Sequence, residues 1–136
     1  MLWFDNGVDQ RYLDPLKLRI AAYYYNRAQQ WGKEVSISTK KAAYSPTDKN
    51  TQTIGSILDF EGRWPSGIRT GVWQVDRSLG STWGYTSDEH FGGPEGMIDQ
   101  LVEMVSQNRT LLLYLSPKSD RRIPQPEQDT LLAVVR

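Results

Sequence analysis

The chain has 136 residues, 38% hydrophobic and 24% charged, which suits one folded domain around a single core. Sixteen basic and sixteen acidic residues cancel, so no net field favours nucleic acid or an anionic membrane as partner. No apolar run approaches the roughly 20 residues of a membrane span. Cysteine is absent and His90 is the single histidine. Disulfides, thiolate catalysis and Cys-type metal sites are excluded, a zinc centre or a Ser-His-Asp triad is disfavoured, and no cofactor is expected. The first residues lack the charged region, apolar core and cleavage site of a signal peptide, and the compartment is left open.

The chain opens on Met1-Leu2-Trp3-Phe4-Asp5-Asn6-Gly7, a short apolar run closed by turn residues, which predicts a buried strand. Asp5 either starts an ordinary turn or, at the C-terminal end of a strand in an α/β protein, faces the usual active-site mouth. Asp14-Pro15 is a helix start, and Leu16, Ile20, Tyr23 or Tyr24, Ala28 and Trp31 recur at helical spacing until Gly32 stops the run. Residues 34–39 alternate at period two and predict a second strand, with Lys40 just past its end. A long polar loop spans 41–54. Ser56 to Phe60 is the third strand, followed by Glu61-Gly62, and Val72 to Val75 a short fourth.

Gly92-Gly93-Pro94 opens a second helix in which Met97, Leu101, Met104 and Val105 share a face. Leu111 to Leu115 reads as another buried strand, Ser116-Pro117 ends it, and a last helix begins near Pro126. Strands alternating with helices over short connections predict α/β architecture with parallel βα units. The chain starts inside a strand and ends in the apolar pattern Leu131 to Val135, so both ends look truncated and the whole of 1–136 reads as part of a larger fold.

Three strand ends each deliver a charged group: Asp5, Lys40 and Glu61. In a parallel sheet those ends lie on one face, and two carboxylates beside a cation are the equipment of a retaining glycosidase. The other reading is that Lys40 and Glu61 are solvated loop-edge ions. Among the five tryptophans, those in loops either stack on sugar rings or pack under the loop.

Trp3-Phe4-Asp5, Leu58-Asp59-Phe60-Glu61-Gly62-Arg63, Trp73-Gln74-Val75-Asp76-Arg77-Ser78-Leu79-Gly80 and Trp83-Gly84-Tyr85 resemble, in that order, the α-L-fucosidases of glycoside hydrolase family 29. The tail Leu111 to Lys118 and Ile123-Pro124 is similar to that family's final barrel strand and following turn. The resemblance implies the C-terminal half of a (β/α)₈ TIM-type barrel, a partial catalytic domain, and release of terminal α-L-fucose from a fucosylated carbohydrate with retention. It also implies a missing N-terminal half as partner.

By resemblance, Asp5 matches the nucleophile and Glu61 the acid/base. Lys40 stands where other members have a sugar-contacting arginine, Trp83 matches the aromatic against the fucose methyl, and Trp3 an aromatic lining the pocket floor. Gln74 follows Trp73 where some members carry a glutamate, and an amide has no suitable proton to give. Tyr114 replaces an asparagine, Arg121 replaces the glycine after Asp120, and residues 106–109 depart from a glycine-asparagine pattern. The alternatives are a non-catalytic remnant of the family and another barrel glycosidase with the same carboxylate pair.

Overall fold

The computed structural model describes residues 1–5, 14–40, 44, 55–61, 67–68 and 71–136. The predicted turn at Asn6-Gly7, most of the 41–54 loop and the segment around Trp64 and Pro65 lie outside them. The chain divides into two compact units, Met1–Glu61 and Gly62–Arg136.

The first unit contains β1 (Leu2–Phe4), α1 (Pro15–Gln30), β2 (Ile37–Lys40) and β3 (Ile57–Glu61). All pairing is parallel: Leu2, Trp3 and Phe4 align with Ile37, Ser38 and Thr39, and Ser38, Thr39 and Lys40 with Ile57, Leu58 and Asp59. Strand side chains alternate between faces. Leu2, Phe4 and Ile37 therefore turn toward α1, where they pack with Ala21, Tyr24, Tyr25 and the buried Tyr44. The opposite face receives Trp3, Ser38, Lys40 and Asp59. The Asp14 carboxylate caps α1, accepting from the Lys17 backbone N–H at 2.9 Å, and Gly32 leaves the helix at φ 62°. The Tyr25 hydroxyl donates to the Gly55 carbonyl at 2.5 Å and accepts the Ile37 N–H at 3.2 Å. One phenol thus satisfies the first backbone donor of β2 and fixes the approach to β3.

The seam of α1 differs from the predicted one. Ala28 is buried and Tyr24 packs as the predicted line allows, but Leu16, Tyr23 and Trp31 are exposed, whereas Lys17, outside that line, is buried. Ala21 and Tyr24 pack against Ile37 and Tyr44, and the Tyr44 hydroxyl donates to the Lys17 carbonyl at 3.2 Å. The buried Lys17 keeps its ammonium 4.0 Å from Asp14.

The second unit contains β4 (Trp73–Ser78), α2 (Pro94–Ser106), β5 (Arg109–Tyr114) and α3 (Gln125–Val134). β4 and β5 pair in parallel over their whole length, from Trp73 with Arg109 to Ser78 with Tyr114. Trp73, Val75, Met97 and Met104 are buried, while Leu101 and Val105 of the predicted α2 face stay partly or largely exposed. The Arg109 guanidinium lies over the Trp73 ring at 4.3 Å, so a buried cation is matched by an aromatic face. Glu127, fully buried in the first turn of α3, accepts the Ser116 N–H with both oxygens at 3.0 and 3.1 Å. That bond fixes the turn between β5 and α3. Arg121 holds the left-handed conformation, φ 69°, at the position where the resemblance expects glycine. Both units are runs of parallel βα structure, the α/β class of a partial β/α barrel. Among the described residues, no helix is long and apolar enough to cross a membrane.

Candidate active site

The alternation that sends Leu2, Phe4 and Ile37 to α1 sends Trp3, Asp5 and Lys40 the other way. β2 runs one residue further than predicted, so Lys40 ends the strand itself and aligns with Asp59. Glu61 ends β3 two residues beyond Asp59, on the same face. These strand ends bring together four of the five residues singled out from the sequence.

Lys40 is the centre of the group. Its ammonium lies 3.0 Å from Asp5 Oδ1 and 2.9 Å from Glu61 Oε2, and 5.3 Å above the Trp3 ring. The lysine side chain is only 9% exposed, against 57% for Asp5 and 46% for Glu61. A largely desolvated cation thus holds two carboxylates that are each about half exposed. Laid end to end, the two contacts put the bound oxygens no more than about 6 Å apart. The sequence places a cation beside the first carboxylate; in the structure the cation serves both.

Asp59 is a member that sequence reasoning missed. It is buried, and its Oδ2 accepts the Trp3 indole N–H at 2.5 Å. This bond, together with the overlying ammonium, fixes the plane of the Trp3 ring. The signal was available: in a strand, Asp59 and Glu61 must share a face, so whatever surface Glu61 lines, Asp59 lines one layer below.

Trp83 belongs to the second unit. Its loop leaves the C-terminal end of β4, and its ring meets Tyr114, the last residue of β5, edge-on at 5.8 Å. Trp83, Tyr85 and Tyr114 are all about two-fifths exposed, an aromatic cluster at the C-terminal end of the β4–β5 pair. Gln74 is completely buried within β4. Among the described residues, no three His, Asp or Glu side chains gather in the manner of a metal site.

The model of the alpha-L-fucosidase family matches residues 1–136. Similar solved structures include an alpha-L-fucosidase at 26% identity and a TM-score of 0.66, covering 85% of this chain and 24% of that one. Thermotoga maritima alpha-fucosidase in complex with fucose matches at 25% identity and a TM-score of 0.63, covering 98% of this chain and 26% of that one. The alpha-L-fucosidase of Vibrio sp. strain EJY3, at 20% identity, shares the fold with a TM-score of 0.67, covering 98% and 23%. No curated protein sequence matches. The chain spans about a quarter of the length of these structures. Its match to the family model from end to end places this chain in the alpha-L-fucosidase family, glycoside hydrolase family 29.

Proposed function

We propose that residues 1–136 form the C-terminal part of the catalytic barrel of a retaining α-L-fucosidase, carrying both catalytic carboxyl groups. The observation that supports this most directly is Lys40 held between Asp5 and Glu61 at 3.0 and 2.9 Å. A carboxylate of Asp5 attacks the anomeric carbon of a terminal α-L-fucoside. The glycosidic C–O bond breaks, its electron pair goes to the leaving oxygen, and Glu61 supplies the proton. Glu61, now a carboxylate, takes a proton from water, whose oxygen displaces Asp5 from the anomeric carbon and releases fucose with retained configuration.

Lys40 contributes charge in two ways. It holds the two carboxyl groups on one ammonium, and it pairs with Asp5 alone when Glu61 takes up its proton. Trp3, fixed by Asp59, lines the floor, and Trp83 packs against the fucose methyl. The rest of the barrel comes from a preceding N-terminal half. The exposed α1 residues Leu16 and Tyr23, which line an open groove with Leu2 and Ile20, are the apolar surface it would cover.

The test is hydrolysis of an aryl α-L-fucoside by the longest chain that contains these residues, against the 136-residue chain alone. Turnover by the longer chain that Asp5→Asn abolishes supports the assignment. An aryl glycoside of another sugar being the better substrate favours a different barrel glycosidase. No turnover by either chain favours the non-catalytic remnant.

A further inference from the structure

The loop that carries Trp83 contains a carboxylate that the reaction above does not use. Glu89 Oε1 accepts the Thr82 backbone N–H at 2.8 Å, and the Thr82 hydroxyl lies 3.0 Å from both Glu89 oxygens. The same hydroxyl reaches the Gly84 carbonyl at 2.6 Å, and Ser81 Oγ adds a longer contact of 3.4 Å to Glu89. From the strand side, Ser78 Oγ donates to the Thr82 carbonyl at 2.5 Å. Gly80 and Phe91 close the loop with an isolated antiparallel bridge. Residues 81 and 82 are thereby tied to one acidic side chain seven positions downstream of Thr82, and the Thr82 hydroxyl is within reach of the Gly84 carbonyl on the far side of Trp83.

Gly80 is part of the same device. A Cβ built there would lie 2.2 Å from Glu89 Oε1, so the carboxylate occupies space that only glycine leaves open. The loop has few apolar contacts of its own, since residues 81–88 are all exposed. Its shape therefore depends on these polar bonds and on the Trp83–Tyr114 contact.

We infer that Glu89 is a positioning residue: its carboxylate fastens the 79–91 loop so that Trp83 is presented edge-on to Tyr114 as a preformed wall for the substrate sugar. The fastening stands on the geometry alone. Its consequence for the sugar rests on the proposed role of Trp83. A wall fixed before binding removes the ordering cost from the binding step, so it acts on KM more than on the chemical step.

The fastening is tested on the 136-residue chain by NMR. Amide exchange at Thr82 and the Trp83 indole shift, displaced by the Tyr114 ring, are followed with core amides of β4 as reference. Glu89→Ala should speed Thr82 exchange about tenfold and move the indole signal toward its free value, with β4 unchanged; Glu89→Gln should do so less. Gly80→Ala should reproduce the effect by pushing the carboxylate out, Thr82→Val should weaken the tie, and Thr82→Ser should restore it. Unchanged Thr82 exchange in both Glu89→Ala and Gly80→Ala overturns the inference. In the active longer chain, Glu89→Ala should raise KM severalfold with kcat nearly constant. Faster exchange without a KM change overturns the positioning role. Loss of turnover on Asp5→Asn is read separately, so failure here is distinct from failure of the proposed function.

Discussion

Replacing Lys40 by methionine isolates what the central ammonium does, because methionine keeps the length and apolar stem but not the charge. Two half-exposed ion pairs are lost, each contributing about 0.5–1 kcal/mol. Two carboxylates are also left within about 6 Å of each other. Their repulsion is about 0.7 kcal/mol at the dielectric of water and about 2.8 kcal/mol at an effective value near 20. Their exposure of 57% and 46% favours the lower end. Against these terms, a buried methionine avoids desolvating an ammonium, worth roughly 1 kcal/mol in favour of the variant. The net expectation for Lys40→Met is a loss of about 1–2 kcal/mol at neutral pH. Urea unfolding at pH 7, repeated in acid and in high salt, is the assay. In acid, where protonated carboxyl groups neither pair nor repel, the loss should vanish and leave the variant the more stable by about the 1 kcal/mol of ammonium desolvation, and in salt the loss should shrink. Lys40→Arg should stay within about 1 kcal/mol of wild type because it keeps the charge. A loss of equal size at neutral and acid pH would refute the reasoning and assign the role of Lys40 to packing.

Four further outcomes are expected. In the active longer chain, Glu61→Ala should spare an activated aryl fucoside more than a natural disaccharide, with azide rescue giving the β-fucosyl azide, whereas Asp5→Gly should lose both substrates and give the α-azide; product NMR distinguishes them. Glu127→Ala leaves the buried Ser116 N–H unmatched and should cost about 1–3 kcal/mol by denaturant unfolding, with Glu127→Gln costing less because one acceptor remains. Arg121→Gly relieves a left-handed residue at φ 69° and should stabilise by about 0.5–1 kcal/mol, measured as a raised urea midpoint, since the extra freedom of unfolded glycine offsets part of the gain. The bonds from Thr82 hold the Glu89 carboxyl below the ordinary glutamate range, so the charged form is the fastened one. Protection of the Thr82 amide should therefore be complete above the ordinary glutamate pKa and be lost as pH falls through the lowered one.

The order and type of the elements follow from local rules that a linear chain displays. Asp14-Pro15 and Gly32 bracket α1 because capping and left-handed exit are properties of single residues. Period-two alternation gave β2, and the βα succession then required parallel pairing because consecutive strands are separated by a helix or a long connection. That Asp5, Lys40 and Glu61 end strands was legible for the same reason, and parallel pairing alone puts such ends on one face. The resemblance to the fucosidases was carried by short runs such as Leu58 to Arg63, which needed no structure to read.

Several other features depended on contacts between elements. A helix with apolar residues on two adjacent lines has no preferred seam until other elements cover one, so whether Leu16 or Lys17 is buried was decided by tertiary packing, in which Tyr44 reaches the Lys17 carbonyl and Ala21 and Tyr24 meet Ile37. The strand register decided that Lys40 stands level with Asp59 and within reach of both Asp5 and Glu61; a shift of one residue would have turned it toward α1. Asp59 became the partner of Trp3 because two strands place an indole N–H beside a buried carboxylate 56 positions away. Glu89 has no periodic or motif signal, and its role arises only when the loop folds back on Thr82 and the space above Gly80 is filled. Spacing along a chain specifies which side of an element a residue occupies, whereas distances across elements are set by packing, and the grouping of Asp5, Lys40 and Glu61 depends on those distances.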